Sequence, residues 1–501
     1  MAFLTNDPSF TNREDVRISF DGWIISSGVG VDALSGGDIV EGLAASGDGD
    51  AAGIFISSGA LDAGNGRDTI QGKGTTAEGA VTGIEIILGG TLQAGLGDDN
   101  IQGTATTNLG AAAGIEIVSS SLDTGSGRDT IEGKSTTGEG AAAGIEIVNG
   151  TLNTGLGIDS IKGRATTGDG AVSGVEVTLD GTLDTGFGND TVQGRASTAV
   201  GAAAGIDIFR GALDTGLGND IVAGKAISGG GAVAGIEVFR GTLNTGFGID
   251  TFDGQATTAV GPAAGIEIVR STLDTGLGAD IIQGKGTTVD GAASGVEIAR
   301  GTLKTRAGGD MIIGDAEGRR VAYGILNFNN GALIAGAGDD TITGNAEARR
   351  FAFGIFNDST STIKTGSGND AITGTASNAK REAFGIFNDG VIDGGGGNDV
   401  FDALKDGWGG GGTVDLGRGD DVLRGFGGGS FIGGSGLDAL TFSSGTYRIE
   451  DVEGQRGVFQ ITLDSLEPSP VMNVVGFEFF GEGDQQTSSA AAASAGEIVF
   501  V

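Results

Sequence analysis

Leu61–Gly72 reads LDAGNGRDTIQG, and near-copies of this stretch recur along most of the chain. LQAGLGDDNIQG starts at Leu92, LDTGSGRDTIEG at Leu122, LNTGLGIDSIKG at Leu152 and LDTGFGNDTVQG at Leu183. LDTGLGNDIVAG follows at Leu213, LNTGFGIDTFDG at Leu243 and LDTGLGADIIQG at Leu273, with weaker copies at Leu303, Leu333, Ile363 and Ile392 and a degenerate one at Val31. Aligned, the last Asp of each copy forms a column: Asp38, Asp68, Asp99, Asp129, Asp159, Asp190, Asp220, Asp250, Asp280, Asp310, Asp340, Asp370, Asp399, Asp421 and Asp438. Its members are 30 or 31 residues apart as far as Asp370, then 29, 22 and 17. So regular a step means one structural unit per copy, stacked on its neighbours.

Within a copy the apolar residues alternate with polar ones. Ile70 points in while Thr69 and Gln71 point out; Ile84 and Ile86 point in while Glu85 points out. This is the period of a strand, and no helical period competes with it. Short strands at a 30-residue step predict an all-β fold, a right-handed parallel β-solenoid with coils of about 30 residues and capped ends. The expected divisions are an N-terminal cap over residues 1–30, with Phe20 and Trp23 covering the first coil, and the 30-residue repeats over 31–390. Shorter coils follow over 391–445, a β cap over 446–483, and a small-residue linker with a short apolar tail over 484–501.

Composition narrows the function. Gly accounts for 103 of 501 residues against 4 Pro, which excludes collagen and implies many turns that need positive φ. There is no Cys and no His, so disulfides, zinc sites and Ser-His or Cys-His nucleophile pairs are excluded. The formal charge of −36 makes nucleic acid an unfavourable partner and requires either disorder or neutralising cations. Regular apolar spacing argues against disorder. No run of 18 apolar residues exists, so no transmembrane segment is expected, and the first residues do not read as a cleaved secretory signal.

The turn G-x-G-x-D followed by an apolar residue points to calcium. Its glycines let backbone carbonyls face one way, the Asp returns a carboxylate to the same place, and stacking would build a cage of hard oxygen ligands. Carboxylates stacked at strand spacing repel by about 1 kcal/mol in water and about 3–4 kcal/mol at an effective dielectric of 20. A column of them therefore opposes stacking unless cations lie between. The alternative is that each Asp only caps its turn by accepting backbone N–H groups. The expected Ca2+ ligands are Asp68, Asp99, Asp129, Asp159, Asp190, Asp220, Asp250, Asp280, Asp340, Asp370, Asp399, Asp421 and Asp438; the turn at Asp310, TRAGGD, reads as the weakest and is set aside.

The stretches GGGGNDVFD (Gly394–Asp402), LGRGDDVLRG (from Leu416) and GGSGLDALTF (from Gly433) resemble the nonapeptide repeat of the RTX, or hemolysin-type, calcium-binding family. The resemblance implies a calcium-filled roll in that part, extracellular location and type I export by an uncleaved C-terminal signal. Glu497–Val501 (EIVFV) is similar to the tail of such exported proteins, with a final edge strand as the alternative reading. Family rolls carry two motifs per 18-residue turn, whereas most coils here carry one in 30. A single row of ions along one edge is therefore expected.

Other columns run beside this one. Glu85, Glu116, Glu146, Glu176, Asp207, Glu237, Glu267 and Glu297 read as an outward row, and Lys73, Lys134, Arg164, Arg195, Lys225 and Lys285 as a cation row. Together they suggest a solvated, partly salt-bridged surface or a flat face for self-association. In later copies Arg319, Arg320, Arg349, Arg350, Lys380 and Arg381 form a basic strip suited to an anionic surface polysaccharide. The following Tyr323, Phe353 and Phe384, with Leu326, Phe356 and Phe387, read as an aromatic stack in a wider core. Carboxylates spread evenly along columns do not form one catalytic cluster, so no enzyme is expected. The chain reads as a secreted, calcium-binding structural, surface-layer or matrix protein. The alternative is an adhesin or polysaccharide-binding module that uses the basic strip.

Overall fold

The computed structural model describes residues 2–3, 17–20, 23–25, 30–32, 36–455, 457–464, 470–481 and 486–500. The chain divides into two units, Met1–Glu267 with Ser271–Asp274, and Ile268–Arg270 with Thr275–Val501. Each is a parallel β-solenoid.

One coil of the first unit represents the repeat. Asp129 leads into a ten-residue strand, Thr130–Glu139; Gly140 turns the chain; a seven-residue strand follows, Ala142–Val148; then comes a three-residue strand, Thr151–Asn153, and the glycine turn to Asp159. Every strand pairs in parallel with its counterpart one copy on, as Thr130 with Ser160, Ala142 with Val172 and Thr151 with Thr182. The second unit repeats the scheme, with Met311–Gly318, Val321–Phe328 and Ala332–Ala337 pairing with Thr341–Ala348, Phe351–Asn357 and Thr362–Ser367.

Alternation decides which residues go inside. Ile131, Ile145, Ile147 and Leu152 are fully buried and form the main core of their coil. A second, narrower core of Ala142, Ala165, Val172, Ala196 and their equivalents lies beside it. Glycines separate the two. A Cβ on Gly133 would fall on the carbonyl of Gly144, and a Cβ on Gly144 would fall on the amide nitrogen of Arg164. The long and middle strands thus meet backbone to backbone, which only glycine permits. The alternation slips by one residue here: Ala142 points in, and so do Ile145 and Ile147, while Glu146 between them is half-buried. Such a slip is the mark of a bulge.

The second unit carries a feature not foreseen from the sequence. Asn327, Asn357 and Asn388 occupy the inward position that Ile298 holds in the preceding coil, and all three are buried. Asn327 Nδ2 donates to Asn357 Oδ1 at 2.8 Å, Asn357 Nδ2 donates to Asn388 Oδ1 at 2.8 Å, and Asn388 Nδ2 donates to the Thr413 carbonyl at 2.9 Å. A ladder of amides can sit in a core because each donor meets an acceptor one rung away.

The aromatic stack lies elsewhere than expected. Ser294 pairs with Tyr323 and Glu297 with Leu326, so the rings continue the outward columns, while Ile325 and Asn327 point in. Tyr323 stacks on Phe353 at 5.3 Å, Phe353 on Phe384 at 6.2 Å, and Phe356 on Phe387 at 5.1 Å. Phe353, between Tyr323 and Phe384, is buried, and the other rings are partly shielded.

At the start, Arg17–Phe20 and Trp23–Ile25 pair in parallel with Ile39–Gly42 and Ile54–Ile56, so part of the expected cap is a further coil. The side chains of Phe20 and Trp23 lie outside the described residues. At the end, Met472–Val475 extends the solenoid in parallel against Gly429–Ile432, then Val458–Leu463 and Gly445–Asp451 add antiparallel strands. Glu497–Phe500 pairs antiparallel with Gly445–Arg448, and the Phe500 ring packs on Phe442 and Tyr447, so these terminal residues form an edge strand. The segment read as a linker holds a helix, Ser489–Ala495. Alanine favours a helix, Ser488 Oγ accepts the Ala491 N–H at 3.3 Å, and Gly496 ends it in the left-handed conformation.

The glycine seam is directly testable. Gly144→Ala is expected to lower stability by about 1–3 kcal/mol through overpacking. Gly230→Ala, at a turn where a Cβ meets open space, is expected to be neutral or to stabilise by up to about 1 kcal/mol. Urea unfolding of both variants checks the contrast.

Candidate functional site

The aspartate column is a ladder of hydrogen bonds. The Asp68 N–H donates to Asp99 Oδ1 at 2.8 Å, Asp99 to Asp129 at 2.9 Å, Asp129 to Asp159 at 2.8 Å, Asp159 to Asp190 at 2.7 Å and Asp190 to Asp220 at 2.8 Å. In the second unit the same bond links Asp280 to Asp310, Asp310 to Asp340, Asp340 to Asp370, Asp370 to Asp399 and Asp399 to Asp421, each at 2.8 Å, and Asp421 to Asp438 at 3.0 Å. Asp220 donates likewise to Asp250 Oδ1 at 2.8 Å. Each carboxylate thus caps the backbone one coil back. The turn-capping role weighed as an alternative is real, and it occupies one carboxylate oxygen.

The other oxygen is the notable atom. Oδ2 of Asp68, Asp99, Asp340, Asp399, Asp421 and Asp438 is buried and has no hydrogen-bond partner among the described residues. The column residues are at most 2 % exposed. Burial pushes Asp68, Asp129, Asp220, Asp340 and Asp399 up to about 7, and Asp190 and Asp438 up to about 6; neighbouring aspartates add to the rise, and the accepted backbone N–H opposes it.

Asp310, whose turn reads as the weakest, takes its place in the ladder. It is buried like the rest and makes the same bond on both sides. The ladder needs the carboxylate and the turn, and Arg306 adopts the left-handed conformation (φ 65°) where other copies have glycine. Two further participants were missed. A buried threonine stands five residues before the Asp in many copies, among them Thr124, Thr154, Thr185, Thr215, Thr305 and Thr365. Its hydroxyl tempers the rise in the carboxyl pKa of Asp129, Asp159, Asp190, Asp220, Asp310 and Asp370. The T of LDTG was the available signal. Glu478 ends the ladder: Asp438 N–H donates to its Oε2 at 2.9 Å. No repeat pattern surrounds Glu478, so nothing in the sequence marked it.

The turns stack closely. A Cβ on Gly97 would fall on the Gly66 carbonyl oxygen, and one on Gly127 would fall on the Gly97 carbonyl oxygen. Among the described residues no three carboxylates converge. A cation here would therefore draw on one or two stacked aspartates and on turn carbonyls. Such an all-oxygen set suits Ca2+, and a buried, unpartnered carboxylate oxygen is the fitting primary ligand.

The outward glutamate column also stacks in register, Glu85 with Glu116, Glu146, Glu176, Asp207 and Glu237 in turn. None of these makes an ion pair among the described residues. The cation row lies on the outer face of the long strand, a different sheet, so the two rows do not neutralise each other. Burial and like-charged neighbours push Glu85 and Glu146 up to about 7 and Asp207 well above its usual range.

The basic strip is where the sequence put it, at the exposed turn between long and middle strands. Its backbone is in register: Lys380 N–H donates to the Arg349 carbonyl at 3.0 Å and Arg381 N–H to the Arg350 carbonyl at 3.1 Å. Arg320 pairs with Asp290 at 2.7 Å. Arg350 and Arg381 each lie 5.9 Å from the centre of the Phe351 ring.

Carboxyls whose pKa rises on folding bind protons more tightly in the native state, so stability falls as pH rises from their unfolded value through about 7. In chelator, the β signal in circular dichroism is expected to be larger near pH 5 than near pH 8. A separate expectation concerns Glu478. Glu478→Ala leaves the Asp438 N–H unsatisfied and should cost about 1–3 kcal/mol, with faster amide exchange at Asp438, whereas Glu478→Gln retains an acceptor and most of the protection.

No protein-family model matches this chain, and neither does any curated protein or solved structure.

Proposed function

We propose that this protein is a calcium-binding β-solenoid that serves outside the cell as a structural, surface-layer or matrix element. The observation that carries the reading is the column of buried aspartates, each with one oxygen tied to the backbone and, in coil after coil, the other without a partner. A carboxylate in that position takes either a proton or a cation. Ca2+ accepts the hard oxygen ligands on offer, and at extracellular concentrations it fills even sites of 10⁻⁴–10⁻³ M affinity. The residues that would hold it are the column aspartates, Asp310 included, with the carbonyls of their glycine turns.

Three things support a structural rather than catalytic role. Equivalent groups are spread evenly along the coils, so no single place is equipped for chemistry. A formal charge of −36 favours a cation-dependent assembly state. The in-register carboxylate column of the middle strand gives a surface whose repulsion falls when cations or protons bind. The RTX-like stretches from Gly394 to Phe442 support export by the type I route, where a chain unfolded at low cytosolic calcium folds once outside.

Circular dichroism with static light scattering tests this. Protein purified in chelator near pH 8, where the column is ionised, is expected to have little β signal, to gain it cooperatively at sub-millimolar to millimolar Ca2+, and to rise in mass as lateral assembly follows. Full β structure and equal stability in chelator would reduce the column to turn capping.

A further inference from the structure

The basic strip has no part in the calcium column, yet it is built as regularly. Arg319, Arg349 and Lys380 are exposed and make no ion pair among the described residues. Their neighbours Arg320, Arg350 and Arg381 form a second row beside them; Arg320 is held by Asp290, and Arg350 and Arg381 lean on Phe351. The stacked backbone sets successive cations about one strand spacing, about 4.8 Å, apart. Like charges at that distance repel, so the rows gain most from a ligand that brings a negative charge to each rung. Glu317, Glu347 and Glu382 lie on the adjoining strands and leave the strip net positive.

We propose that this strip binds a linear carboxylated polysaccharide, one uronate carboxylate to each rung. The residue repeat of an extended pyranoside chain is of the same order as the rung spacing, and the guanidinium fork matches a carboxylate in two bonds. A single-stranded nucleic acid is the competing polyanion, and it would need free aromatic faces on which to stack its bases. Those faces are taken: Tyr323 covers Phe353 and Phe356 covers Phe387, with interplanar angles of 13° and 2°. What remains exposed is charge at a short repeat. The complex is therefore ionic, salt-sensitive and independent of base or sugar stacking.

The test uses the full chain with Ca2+ present throughout. Oligogalacturonate is titrated at low and at physiological salt, with its methyl-esterified form and a single-stranded oligonucleotide as comparisons. Binding by oligogalacturonate alone is expected, weakening steeply with salt, and at least tenfold weaker in the R319Q/R349Q/K380Q variant, whose β spectrum stays native because all three side chains are exposed. The same affinity in that variant would overturn the proposal and would mean that calcium bridges the sugar to the acidic faces. Equal or tighter binding of the oligonucleotide, equal binding of the ester, or no binding at all would overturn it too. Because the variant keeps the aspartate column, failure here leaves the calcium reading standing.

Discussion

A backbone N–H of one aspartate bonded to the carboxylate of the aspartate one coil on is the contact around which each unit is arranged. It holds successive glycine turns at a fixed level, and with the turns fixed the strands that follow can only pair in register. Register then determines the rest: isoleucine falls on isoleucine, asparagine on asparagine, ring on ring. The same bond has a consequence for charge. By using one oxygen of each carboxylate and burying the other, it places ionisable groups where water cannot solvate them. A regular stack thus carries a column of carboxyls whose charged form is disfavoured by burial.

That constraint explains why the fold is built from such small parts. Glycine at the turns lets one level sit on the carbonyls of the previous one, and glycine at the seam lets the long and middle strands touch. The cores on either side of the seam are narrow, the larger filled in a coil such as that of Ile131, Ile145, Ile147 and Leu152 by these four aliphatic side chains, the smaller by alanine or valine. No coil buries enough to stand alone, so stability belongs to the stack. Within a unit, anything that loosens the aspartate column acts on the neighbouring coils as well.

Much of this could be read from the residues. The 30-residue step and the alternation around Ile70, Ile84 and Ile86 carry the solenoid, and the Asp column was visible as soon as the copies were aligned. The sequence reading treated capping and ion binding as alternatives, whereas a carboxylate has two oxygens and the first is used for capping. The turn at Asp310 reads as the weakest, with Arg306 at the first glycine position, but Arg306 takes the left-handed conformation and the ladder bonds are kept. The asparagine ladder was hidden because a lone Asn reads as a surface residue, and its burial becomes favourable only when Asn357 and Asn388 stand on the next rungs. Tyr323 and Phe353 were assigned to the core by hydrophobicity alone, while the slip at the bulge sends that column outward. Glu478 and the helix at Ser489–Ala495 lie beyond the repeat, where periodicity offers no guide.

The most direct measurement is the number of protons released when Ca2+ binds. Calorimetric titrations in buffers of different ionisation enthalpy give that number at a chosen pH. A column of carboxyls whose pKa values burial raises, Asp68, Asp129, Asp220, Asp340 and Asp399 to about 7, predicts release of several protons per chain near pH 6.5 and close to none near pH 8.5. Calcium binding without proton release at the lower pH, or no calcium binding at either, would contradict it.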